Sequence, residues 1–198
     1  MIAIDLGDTF DAMAKRAQSA GKQIDPIARM AVNDAADFSR SFGASDITKQ
    51  FNVTSSYLKG GDSPRLGVVK RASNTSLEAI VRGRDRATSL ARFSKTALPA
   101  QFGKQKRSPT VAVLKGSGGK QIPKSFYVRL RNGNVGIAVR LKKGDTVQGK
   151  NKMVSARRGY YLLYGPSVDQ MFRSTSLRTV EPATVRFLAT FNRLAAGL

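Results

Sequence analysis

Between residues 65 and 158 the sequence carries 23 Lys and Arg against three acids, Glu78, Asp85 and Asp145, a net charge of +20. No fold can pair that many cations with so few carboxylates. Most of the charge must face solvent, a polyanion or an acidic neighbour. The flanks are close to neutral: residues 1–64 carry −1 and residues 159–198 carry +2, out of +21 for the chain. A generally basic protein would spread its excess. Concentration in one stretch marks a dedicated anion-facing region.

Composition removes much enzyme chemistry. The 198 residues include no Cys and no His, so disulfides, thiolate sites, Cys nucleophiles and the commonest general base are all absent. The central acids are widely spaced, and Asp85 lies between Arg84 and Arg86; a metal-dependent nuclease would cluster them. Gly116-Ser117-Gly118-Gly119-Lys120 lacks the spacing and the following Ser or Thr of a phosphate loop. It reads as a flexible turn. No enzyme, metal or cofactor is expected. Met1 to Phe10 contains Asp5 and Asp8 and does not read as a secretory signal. The apolar run Tyr160 to Tyr164 is far too short to span a bilayer. A soluble protein made in the cytoplasm is expected.

The first third reads as helix. Asp25-Pro26 is a start signal, and Ile27, Ala31, Ala35, Phe38 and Phe42 recur at helical spacing up to Gly43, placed as a C-terminal glycine. Phe10, Met13, Ala14 and Ala17 suggest an earlier helix ending near Gly21. Asp46 to Lys59 reads as two short helices capped by Asp46 and Thr54 and joined at Asn52-Val53. The pair resembles a helix-turn-helix. Its second helix offers Ser55 and Ser56 where a reading helix usually offers Arg, Gln or Asn, and its surroundings are not basic. A packing role fits better.

The middle reads as β. Leu66 to Arg71 and Leu77 to Arg82 form strands across a Ser73-Asn74-Thr75 turn, and Val111 to Leu114 forms another. Ser125 to Arg131 and Asn134 to Lys142 alternate on either side of Asn132-Gly133, which predicts a hairpin with a two-residue type I′ turn. That register puts Leu130 opposite Val135, Val128 opposite Ile137 and Phe126 opposite Val139, all on one face. The other face then carries Tyr127, Arg129, Arg131, Arg140 and Lys142. Lys142 to Arg158 reads as a long loop, extending the basic field through Lys143, Lys150, Lys152, Arg157 and Arg158.

Tyr160 to Tyr164 reads as an apolar strand ended by Gly165-Pro166, with Gly165 at positive φ and a short helical turn capped by Ser167. Tyr164, Met171 and Phe172 are then expected to be at least partly buried. Thr179 to Leu194 forms a closing helix, with Pro182 in its first turn and Thr184, Phe187, Leu188, Phe191 and Leu194 on its apolar side. The fold class is α+β: N-terminal helices (1–64) and a C-terminal helix packed on a mostly antiparallel sheet with a long basic loop (65–198), as one structural unit.

Ile122-Pro123 and Phe126 leading into the Asn-Gly hairpin, the basic loop, the Tyr164-Gly165-Pro166-Ser167-Val168 turn and the closing helix together resemble the minor tail protein Z family of tailed bacteriophages. Thr48-Lys49, Val53 and Leu58 fit the same pattern, and the resemblance covers most of the chain in order. It implies a tail-completion protein of the virion. Such a subunit sits at the head-proximal end, or neck, of the tail where genomic DNA passes, beside other tail and neck proteins. It also implies a homo-oligomeric ring, sixfold by tail symmetry, and no catalysis. The alternative is a small helix-turn-helix DNA-binding regulator reading through residues 46–59.

Overall fold

A computed structural model describes residues 2–3, 24–60, 64–102, 107–140, 154–156 and 160–196. Helices and antiparallel sheets make an α+β fold. The chain divides into two compact units that interleave in sequence. One holds residues 1–47, 55–85 and 168–198; the other holds 48–54 and 86–167. The division therefore does not fall at residue 64: the first strands and the closing helices join the N-terminal helix.

The first unit is built on helix α1 (Ile24–Gln50), whose last three residues pass into the second unit. The unit also holds α2 (Ser55–Lys59), α3 (Val168–Thr175) and α4 (Leu177–Ala195). Its three-stranded antiparallel sheet has the order β1 (Ile2–Ala3), β3 (Ile80–Gly83), β2 (Leu66–Lys70). Ile27, Ala28, Ala31 and Ala35 of α1 pack with Phe187 and Phe191 of α4, all buried. Small residues on one helix make room for aromatic rings on the other, which is how helices approach closely without voids. Phe38 and Phe42, expected in the same stripe, are half-buried and stack on each other at 5.7 Å.

Gly43 does not end α1. The helix runs on for seven more residues, through Asp46, to Gln50. The glycine is there because the Phe172 ring occupies the space a Cβ would take. Close packing, not termination, explains the residue. This also removes the first of the two short helices expected over 46–59. The second is real but has only five residues, and it buries Tyr57 and Leu58. Pro182 lies inside α4, which starts at Leu177 rather than Thr179. The earlier helix expected over 10–21 lies outside the described residues.

Polar ties hold this unit's pieces together. The Asn33 side-chain amide donates to Ala72 O at 3.2 Å and its oxygen accepts from Ala72 N at 2.9 Å. Arg71 donates two 2.9 Å bonds to the Asp37 carboxylate. Both fasten the β2–β3 turn to α1. Asp34 of α1 accepts from Arg186 Nε at 2.7 Å, Arg186 Nη2 at 3.1 Å and Thr190 Oγ1 at 2.6 Å.

The second unit holds β4 (Ala87–Ser89), a 3-10 turn (Leu90–Phe93), and the two-stranded pair β5 (Thr110–Val111) and β6 (Lys120–Gln121). Its main sheet adds β7 (Ser125–Arg129), β8 (Val135–Arg140) and β10 (Tyr160–Ser167) in the order β4-β10-β8-β7, all antiparallel. The strand expected over 111–114 is shorter: Val111 pairs in β5 and Leu114 only bridges Phe51. Gly116 and Gly119 have φ of +77° and +84°, as turn residues do. Part of the expected long loop is strand: β9 (Val154–Ala156) pairs with β10.

The Asp34 cluster predicts an acid-sensitive tie. Hydrogen bonding to Arg186 lowers the Asp34 carboxyl below its ordinary value; burial opposes this and Thr190 assists it. Its contribution is complete above the unfolded value, about 3.9, and is lost as pH falls through the lower folded value. Asp34→Ala should cost about 1–2 kcal/mol near neutrality. In denaturant titrations across pH, the gap to wild type should narrow below about pH 3.9.

Candidate nucleic-acid interface

The hairpin register decides where the basic residues point. Arg129 pairs with Val135, Val128 with Gly136, Tyr127 with Ile137, Phe126 with Ala138 and Ser125 with Val139. This is one residue away from the register that a two-residue turn would give. Arg131, Asn132 and Gly133 form a three-residue loop instead: Leu130 N–H donates to Asn134 O at 2.7 Å and Gly133 N–H donates to Leu130 O at 2.9 Å. Gly133 sits at φ +76°, the left-handed position that closes such a loop. Asn-Gly suits both turns, and the packing selects the longer one.

A one-residue slip moves residues between faces. Tyr127 and Ile137 now share the buried face, against the 3-10 turn. Tyr127 OH donates to Thr96 O at 2.9 Å and shares a hydrogen bond with Ser94 Oγ. Phe93 and Thr88 are buried with them in this unit. The opposite face carries Phe126, Val128, Ala138, Tyr160 and Leu162, and the small residue Gly136 fits because Leu162 would lie 2.9 Å from a Cβ there.

The expected basic face is therefore corrected. Arg129 belongs to the Tyr127 face, Arg140 to the Phe126 face, and Arg131 to the loop. All three are exposed. Each strand arginine lies over an aromatic ring: Arg129 5.0 Å from the Phe102 centroid and Arg140 5.0 Å from that of Phe126. Phe126 also meets Tyr160 edge-on at 5.8 Å, and Tyr160 is the cross-strand partner of Arg140. Arg140, Phe126 and Tyr160 thus form a half-exposed aromatic and basic cluster. Sequence reasoning missed it because the register of a two-residue turn puts Phe126 and Arg140 on different faces. Lys142, Lys143, Lys150, Lys152, Arg157 and Arg158 lie outside the described residues.

The turn after β10 is also corrected. The strand runs through Gly165 and Pro166 to Ser167 without a break. Gly165 is not at positive φ; a Cβ there would lie 2.7 Å from Phe93 Cε2. Pro166 falls where the pairing with β4 shifts between Gly165 and Ser167, a position that tolerates a residue without N–H. Ser167 is buried just before α3, Met171 and Phe172 are buried in α3, and Tyr164 is half-buried.

The charge of the second unit has a sharper form than the sequence segment suggested. Its residues include 19 Lys and Arg and one acid, Asp145. Its described residues include 11 of those cations and no carboxylate. The ion pairs Lys70–Glu78, Arg71–Asp37, Arg173–Asp169, Arg178–Asp46 and Arg186–Asp34 lie in the first unit. Among the described residues no three His, Cys, Asp or Glu side chains gather into a metal-binding group. No described helix is long and apolar enough to cross a membrane. Comparison with known protein families, with curated proteins and with solved structures finds no match to the chain.

Proposed function

We propose that the chain is a non-catalytic structural subunit of a phage tail, of the tail-completion type, whose second unit presents its cations to genomic DNA. The observation that carries this reading is the second unit's composition: 11 described cations and no described carboxylate of its own. A surface built that way gains stability when an outside polyanion releases counterions from it. The Arg140, Phe126 and Tyr160 cluster adds a ring surface beside a cation, a combination that supports sequence-tolerant contact with nucleic acid. The order of motifs that resembles the minor tail protein Z family supplies the location, the virion neck, and the neighbours, other tail and neck proteins. The regulator alternative is weaker, because its reading helix is five residues long and buries two of them.

Tail symmetry favours a closed ring of six copies. A cryo-EM reconstruction of the assembled particle should show that ring at the head-proximal end of the tail. A single symmetry-breaking copy would contradict it.

The DNA contact has its own test. Binding of purified protein to random duplexes should be weak, alike for every sequence, and should fall steeply with salt. Arg129→Glu, Arg131→Glu and Arg140→Glu combined should weaken it and flatten the logarithmic salt dependence by about 2–3 units. Changing Ser55 and Ser56 to Ala should leave it unchanged. Strong preference for one duplex, lost on changing Ser55 or Ser56, would replace this reading with the regulator. No binding even at low salt would remove DNA as the partner and assign the basic surface to an acidic tail neighbour.

A further inference from the structure

The buried side-chain polar atoms that lack a hydrogen-bond partner among the described residues are the Nε atoms of Arg65 and Arg84. The two side chains converge on one residue of the first unit, the buried Tyr57. The guanidinium carbons lie 4.4 Å (Arg65) and 5.9 Å (Arg84) from the Tyr57 ring centroid. Arg65 Nη1 donates to Tyr57 O at 2.6 Å, and Arg84 Nη2 donates to Tyr57 OH at 2.8 Å. The backbone locks the pair in place: Arg84 N–H donates to Arg65 O at 2.7 Å and Arg65 N–H to Leu58 O at 3.0 Å. Leu66 and Gly83, the next residues inward, are cross-strand partners.

Two half-buried guanidiniums held around one tyrosine repel each other, and burial weakens the screening that water gives surface cations. A neutral ring and two oxygen acceptors do not cancel two charges. Among the described residues no carboxylate lies within ion-pair distance of either arginine; the paired carboxylates engage Lys70, Arg71, Arg173, Arg178 and Arg186. Each guanidinium still has N–H donors beyond the bonds to Tyr57. One tetrahedral oxyanion, with several acceptor oxygens and up to two negative charges, suits two such forks in charge and in number of acceptors.

We propose that Arg65 and Arg84 form a binding site for one phosphate-class oxyanion beside Tyr57. The site lies in the first unit and does not depend on the DNA-facing role of the second.

The test is thermal unfolding of the full chain titrated with inorganic phosphate, ionic strength being held constant with sodium chloride. The melting temperature should rise and saturate. Arg84→Lys and Arg65→Lys keep the charge and lose the fork, and should raise the half-saturating concentration at least about tenfold. Arg82→Lys, on the adjoining strand, should behave as wild type. The Arg129, Arg131 and Arg140 charge reversal should also keep the phosphate effect, which separates this site from the DNA contact. Phosphorus-31 line broadening of inorganic phosphate by wild-type protein gives an affinity that needs no variant to fold. Displacement of that signal by a 12-nucleotide strand lacking terminal phosphates would assign the site to phosphodiesters; displacement by a nucleoside monophosphate alone would assign it to free monoesters. No saturable rise and no broadening, or the same rise in the Lys variants as in wild type, would overturn the proposal.

Discussion

Nineteen Lys and Arg accompany one acid, Asp145, in the second unit, and like charges repel within a screening length of roughly 8 Å at physiological ionic strength. What holds such a unit together has to be uncharged. Here it is the burial of Tyr127, Ile137, Phe93 and Thr88, with the Tyr127 hydroxyl joined to Ser94 and Thr96. The described hairpin cations sit at the far end of β7, the far end of β8 and the loop between the strands. That arrangement spreads them instead of stacking them on one face. It lowers their mutual repulsion and leaves them open to an outside anion.

The first unit is organised the opposite way. Three of its carboxylates make structural ties: Asp34 to Arg186 and Thr190, Asp37 to Arg71, Asp46 to Arg178. Such partly exposed pairs contribute modestly one by one. Together with the Ala-lined contact between α1 and α4, they fix helices far apart in sequence. Of the chain's 13 acids, 12 fall in this unit, whereas 19 of its 34 cations fall in the other. Arg65 and Arg84 are half-buried cations of the first unit that gather on Tyr57 rather than on a carboxylate.

Periodicity made the elements legible, and packing decided the details. The stripe Ile27, Ala31, Ala35 and the rings of Phe187 and Phe191 announced the helix contact through their spacing. The Asn132-Gly133 hairpin was legible too, but its register was not. Two-residue and three-residue turns both use Asn-Gly, and they differ by one residue in every pair. What selects the longer turn is Gly136 fitting under Leu162 and Tyr127 OH finding partners around Ser94 and Thr96. Neither contact is local in sequence. Gly43 and Gly165 mislead for the same reason: both were read as backbone signals, and both instead give way to a distant Phe ring. The Tyr57, Arg65 and Arg84 cluster depends on the β2–β3 pairing to bring its members together, so no spacing rule could find it.

The central claim is that the second unit's cations are not compensated from within. Amide hydrogen exchange of β7, β8 and β10, followed from about 50 mM to about 500 mM sodium chloride at neutral pH, measures this without reference to any partner. Screening should raise protection in those strands, while α1 and α4, tied by ion pairs, gain nothing. Protection of the three strands that stays flat or falls as salt rises would contradict the account.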